Sequence, residues 1–177
     1  MASTQELLSN PTSVGIWSLD PNRSTIGFKA KSMWGIAPVK GRFLEFSGDG
    51  QITDTQTVFG RIDIHTASLD TKLGMRDEHL RSADYFDAER FPDISVVVTG
   101  AEAINGDTVD LRAQLTVKGT TATLPLRAIV ATVDDGAVRL SAEATVDRKA
   151  FGVSGNLMGM LTDKVTISGD VVFRRVG

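Results

Sequence analysis

Long stretches of this chain alternate strictly between apolar and polar residues, and that period limits what it can fold into. A strand sends successive side chains to opposite faces, so a period of two marks a strand with one dry and one wet face. Residues 108–118 read TVDLRAQLTVK, which sets Val109, Leu111, Ala113, Leu115 and Val117 against Thr108, Asp110, Arg112, Gln114, Thr116 and Lys118. Residues 137–147 repeat the pattern with Val138, Leu140, Ala142, Ala144 and Val146 on the dry face. Residues 164–174 do so with Val165, Ile167, Gly169, Val171 and Phe173. Shorter alternating sets are Ile26, Phe28 and Ala30; Val39, Gly41 and Phe43; Val58, Gly60, Ile62 and Ile64; Ile94, Val96 and Val98; and Leu124, Leu126 and Ala128.

The connections carry hairpin chemistry. Asn105-Gly106 and Asp135-Gly136 suit turns that need positive φ, and Lys118-Gly119 and Ser47–Gly50 read as softer turns. Strands joined this tightly run antiparallel. Residues 70–91, DTKLGMRDEHLRSADYFDAERF, break the alternation. Asp77 and Glu78 in a first turn and Arg81 in a last turn suit a helix dipole, predicting a short helical insert around residues 74–88. Asp84 is placed to cap a second short turn ahead of Phe91-Pro92. No linker or repeat divides the 177 residues. Residues 1–13 read as a flexible tail and residues 14–177 as one domain.

About eight one-sided strands hide their dry faces by closing into a barrel or stacking as a sandwich. Sequential hairpins favour an all-β, antiparallel, eight-stranded up-and-down barrel, which has room for packed side chains or for one small ligand. Small residues recur on the inward face at Gly60, Ala113, Ala128, Ala142, Ala144 and Gly169. They predict a lengthwise void unless Phe28, Trp34, Phe43 and Phe151 fill it. Met75, Leu157, Met158, Met160 and Leu161, in Gly-containing loops, are candidates for an apolar mouth or for plain packing.

Polar chemistry is sparse. The chain has no cysteine, which excludes disulfides and thiol catalysis. Its two histidines, His65 and His79, stand in no metal-ligand spacing, and no catalytic elbow or phosphate-binding loop occurs. No catalytic residue, metal site or cofactor motif is assigned. The clusters Arg76-Asp77-Glu78-His79 and Asp147-Arg148-Lys149 read as an arginine–carboxylate network pinning the insert to the barrel, with acid–base work as the alternative. A net charge of −3 without basic runs argues against nucleic acid and anionic membrane surfaces. No apolar run approaches the ~20 residues of a membrane span.

Several segments resemble the YceI-like family. They are Trp17-Ser18-Leu19-Asp20 with Ser24-Thr25-Ile26-Gly27-Phe28; Val39-Lys40-Gly41-Arg42-Phe43; Ser68-Leu69-Asp70-Thr71; Arg76-Asp77-Glu78-His79-Leu80; Asp84-Tyr85-Phe86-Asp87; and Phe91-Pro92. Leu115–Thr121 and Asp147–Val153 continue the match. The resemblance implies an extended lipocalin-like barrel holding a polyisoprenoid or isoprenoid-quinone chain. Ala113, where relatives usually have Gly, and Val96, where an aromatic is common, imply a cavity of different shape. Many relatives are exported to the periplasm. The residues before Arg23 lack a basic start and an apolar run, so a cytoplasmic location is expected, or a periplasmic or extracellular one had a signal been removed.

The function expected is non-enzymatic binding, sequestration or transport of a long apolar isoprenoid-type lipid. The candidate lining is Phe28, Trp34, Phe43, Ile62, Ile64, Met75, Phe86, Val96, Ala113, Leu115, Leu126, Leu140, Ala142, Phe151, Met158 and Met160. The alternatives are an enzyme acting on a lipid held in the barrel, for which Arg76, Asp77, His79 and Arg148 are the polar candidates, and a ligand-free interaction module with a filled core. A homodimer is compatible with each.

Overall fold

The computed structural model describes residues 3–32, 38–133, 135–155 and 161–177. Its elements are α1 (Thr4–Ser9), β1 (Gly15–Leu19), β2 (Thr25–Ser32), β3 (Val39–Phe43), β4 (Phe46–Ile52), β5 (Val58–His65), β6 (Leu69–Asp70), α2 (Gly74–Arg81), β7 (Asp93–Asn105), β8 (Thr108–Val117), β9 (Thr120–Thr132), β10 (Val138–Asp147) and β11 (Leu161–Arg175).

The expected barrel is present, closed by β11 against the start of the chain. The last residues of β11 pair with β1, from Leu19↔Phe173 to Trp17↔Arg175. Its middle pairs with β2, from Thr25↔Asp170 to Ala30↔Val165. β1 and β2 are therefore two segments of one stave. The break between them is a tight turn in which Asp20 accepts from the Asn22 N–H and the Ser24 hydroxyl accepts from the Val172 N–H. β3 and β4 form the next stave, paired with β2 and β1, and β5 and β6 the third, paired with β4 and β3. With β7 to β11 the order is a simple antiparallel meander of eight staves. The hairpin connections adopt positive φ where their residues allow it: Lys118 and Gly119 stand at φ 52° and 76° and Gly106 at 42° in two-residue turns, and Gly136 at 80° in the longer β9–β10 connection.

The wall is incomplete at one place. The β9–β10 ladder runs only from Val138↔Thr132 to Ala142↔Ala128. Among the described residues, β9 beyond that point pairs with β8 alone and β10 with β11 alone. Pro125 lies in this unpaired stretch of β9, where a missing N–H costs no ladder bond on the open side.

Three expectations need correction. Ser47–Gly50 is not a turn but the middle of β4. Its glycines answer to the interior: a Cβ at Gly48 would stand 3.2 Å from Leu19 Cδ1 and 3.2 Å from Ile62 Cγ1. The helical insert is one helix, α2, ending at Arg81; the residues after it are held by turn bonds such as Phe86 N–H to Leu80 C=O and Ala88 N–H to Arg81 C=O. The stretch read as a flexible tail contains α1, started by a capping box in which the Ser3 hydroxyl accepts from the Glu6 N–H and the Glu6 carboxylate from the Ser3 N–H. Such a box satisfies two of the N–H groups a helix start leaves bare. The Thr4 N–H is bonded to the Gly106 carbonyl, which fixes α1 on the β7–β8 hairpin.

Candidate functional site: an interior apolar cavity

The dry faces of the staves enclose a cavity of about 330 Å³, at the lower end of the roughly 300–1,000 Å³ typical of small-molecule sites. The small inward residues are where it opens. Gly169 pairs with Ala142, and Ala142 with Ala128, so three short side chains adjoin across β11, β10 and β9. A Cβ built at Gly169 meets no described atom within 4 Å. Gly50 faces Gly60 across β4 and β5, and both border the same space. Leucine and valine cannot reach across such positions, so the interior stays unfilled.

Each end is closed. At one, α1 lays Leu7, Leu8 and the buried Thr4 against the cavity, and Trp17 is fixed by its indole N–H on the Ser13 carbonyl, 3.0 Å away. At the other, the insert brings Leu80, Tyr85 and Phe86. Phe28, Phe43 and Phe86 form an aromatic cluster there, with ring centroids 5.5, 6.1 and 6.2 Å apart. The segment after β10 completes this end. Arg148–Phe151 is a short 3₁₀ turn capped by the Asp147 carboxylate and ended by Gly152 at φ 78°. It directs Phe151 and Val153 inward.

Of the residues expected to line a ligand site, Phe28, Phe43, Phe86 and Phe151 border the cavity at the aromatic end. Ile62, Ile64, Val96, Leu115, Leu126, Leu140 and Ala142 border it along the wall. Ala113 does not: it is buried on the inward face, but its methyl is shorter than the flanking Leu111 and Leu115, which reach the space instead. Met75 does not either, being 74 % exposed. The buried face of α2 carries Asp77 and Leu80, and at 100° per residue Met75 points well away from both. Trp34, Leu157, Met158 and Met160 lie outside the described residues. Thr4, Leu7 and Leu8 were missed, although Ser3-x-x-Glu6 ahead of Leu7-Leu8 is the sequence signature of a capped helix.

The first charged cluster holds the insert and the second holds the loop after β10, among the described residues without arginine–carboxylate pairing. Asp77 is buried and accepts from the N–H and hydroxyl of Thr71. Arg76 donates to the Thr71 hydroxyl and carbonyl, and Arg81 to the carbonyls of Ala67 and Leu69. Arg148 donates to the carbonyls of Thr162, Val153 and Gly155. Irregular backbone at a barrel end leaves carbonyls without ladder partners, and these long donors satisfy them. His65 and His79 are exposed, and no group of three or more His, Asp or Glu among the described residues is arranged around a metal-sized point.

This architecture has known counterparts. The sequence model of the YceI-like domain matches residues 17–173. The chain belongs to the YceI-like family. A UPF0312 protein of Pseudomonas aeruginosa is 32% identical over 139 residues, covering 75% of this chain and 72% of that protein. Protein YceI of Escherichia coli O157:H7 is 29% identical over 130 residues, covering 70% and 68%. Among solved structures, Burkholderia cenocepacia BcnA superposes with a TM-score of 0.78 at 22% identity, covering 87% of this chain and 98% of that one. A polyisoprenoid binding domain from Saccharophagus degradans gives 0.75 at 16% identity, covering 90% and 98%. At these identities the structural likeness is one of YceI-like fold.

Proposed function

We propose that this protein binds a long apolar chain of isoprenoid type, such as a polyprenol or an isoprenoid quinone, inside the barrel, and that it sequesters or carries the chain without transforming it. The observation that carries the reading is the interior cavity lined mainly by apolar side chains, with glycine and alanine where a filled core would need bulk. A dry cavity of this kind favours chains over polar solutes, since each buried CH₂ contributes about 0.8 kcal/mol. Ten such groups contribute about 8 kcal/mol, enough to offset much of the ordering cost of association. The family supports the same reading, because one solved relative of this fold is described as a polyisoprenoid binding domain.

The test is native mass spectrometry of protein purified from its own host, followed by solvent extraction, and then titration of delipidated protein with geranylgeraniol. A co-purifying apolar chain and saturable uptake are expected. Protein that is consistently empty and takes up no chain would sink the proposal.

A further inference from the structure

Arg148, at the end of an apolar cavity, has no counter-ion among the described residues. Its side chain borders the cavity and is only 6 % exposed. Nε donates to Thr162 O at 3.0 Å, and Nη1 to Val153 O at 2.8 Å and Gly155 O at 2.6 Å. All three acceptors are neutral carbonyls. Nη2 is buried and meets no acceptor among the described residues, and none of their carboxylates lies within salt-bridge distance of the guanidinium. A guanidinium stays protonated at any ordinary pH and offers five N–H donors, so among the described residues both Nη2 hydrogens lack an acceptor and the charge is met by carbonyl dipoles without a counter-ion. A buried unpaired charge is far more costly than an unpaired hydroxyl. At the opposite end of the cavity, the buried polar atom without a partner among the described residues is such a hydroxyl, the Oγ1 of Thr4.

Pinning the loop does not account for this arrangement, since the three carbonyl bonds use Nε and Nη1 and leave Nη2 idle. A second cation serves the same loop, as Lys118 Nζ donates to Gly152 O at 3.0 Å and Ala83 O at 2.6 Å. The aromatic end of the barrel therefore gathers Arg76, Arg81, Lys118 and Arg148 onto backbone carbonyls, whereas the α1 end of the cavity is lined by Leu7, Leu8 and Thr4.

We infer that the cavity takes an amphiphile whose head is an oxyanion, a carboxylate or phosphate, paired with Arg148 Nη2, and whose apolar tail runs toward α1. This rests on the chain-binding reading above and narrows the head group. An oxyanion supplies both the acceptor and the counter-charge, whereas a hydroxyl or quinone carbonyl supplies the acceptor alone.

The test compares heads at constant tail on delipidated protein: farnesyl phosphate against farnesol, and hexadecanoate against hexadecanol, by titration calorimetry. A charge-assisted hydrogen bond predicts a preference of roughly tenfold to a hundredfold for the anion in at least one pair. The pair with the larger preference tells whether a phosphate on a branched chain or a carboxylate on a straight one is the better fit. Arg148→Met should abolish the preference and retain farnesol or hexadecanol binding, while Arg148→Lys, which keeps the charge, should retain part of it. Equal affinity within both pairs in the unaltered protein would overturn the inference, and needs no variant that folds. That outcome leaves chain binding intact, whereas absence of binding by all four compounds refutes chain binding itself. A preference that survives unchanged in a folded Arg148→Met protein would also overturn it.

Discussion

Replacing Gly169 by leucine separates an empty barrel from a filled one by the sign of a stability change. Gly169 sits in mid-β11, paired with Ala142 on one side and Ile26 on the other, and an added Cβ meets nothing described within 4 Å. Burying a leucine side chain contributes about 1.5–3 kcal/mol, and removing a strand glycine adds about 0.5–1 kcal/mol. Fixing the leucine rotamer costs about 0.5–1 kcal/mol. The expected net is a gain of about 2 kcal/mol, or a rise in Tm of roughly 4–8 °C for a chain of this length. In a close-packed core the same change overpacks and costs about 1–3 kcal/mol. Thermal and urea unfolding should be measured on delipidated protein, because bound ligand would itself raise Tm. Titration of both proteins with geranylgeraniol completes the assay. The variant should be more stable and bind more weakly, since its side chain occupies ligand space. A lower Tm with unaltered uptake would refute the claim that the space beside Gly169 is empty and belongs to the ligand.

Gly41→Ala should go the other way. Its Cβ would stand 2.7 Å from Phe28 Cε1 and 2.9 Å from Thr71 Cγ2, so a loss of about 1–3 kcal/mol is expected in urea unfolding, and an unchanged midpoint would contradict the packing at the aromatic end. Ser3→Ala removes the α1 cap and should weaken that helix by about 1 kcal/mol. Faster amide exchange over residues 4–9 with an unchanged global Tm is expected, and exchange as slow as in the parent would show that α1 does not depend on its cap. Arg23 donates to both Asp20 and Asp135 and lowers both carboxyls below their usual range, chiefly by hydrogen bonding. Carboxyls lowered in the folded state stabilise it above their unfolded pKa of about 4 and stop doing so as pH falls through the lower folded value. The Tm gap between the parent and Arg23→Met should thus be present at pH 7 and shrink below about pH 4. It should also shrink in high salt, Arg23 being partly open to solvent in both pairs; a gap constant from pH 7 to 2 would exclude the ion pairs as its source.

What was legible in the sequence was whatever depends on the local chain. Each alternating set, from Ile26–Ala30 to Val165–Phe173, faces inward where period two put it, and Asn105-Gly106, Lys118-Gly119 and Asp135-Gly136 turn as their φ demands. Reading failed where glycine carried two meanings. Ser47–Gly50 reads as a turn, yet Gly48 is a strand residue crowded by Leu19 and Ile62 of the adjoining strands, and Gly50 faces Gly60 beside the cavity. It failed also for short elements held by distant partners. Thr4–Ser9 is too short to be a helix alone and is held by the β7–β8 hairpin, and Met75 lost its place at the cavity to the phase of α2.

By itself, the sequence determined the strands, their inward faces, the hairpins and, through its residue motifs, the family. Only the tertiary structure decided that glycines and alanines on separate staves meet around an empty space, that α1 and the insert border its ends, and that Arg148 reaches it with no counter-ion among the described residues. The reason is physical. Alternation and turn conformation are set by residues a few positions apart. A void, a closed end and an unpaired charge are properties of what is absent nearby, and neighbours in a barrel come from strands far apart in the chain.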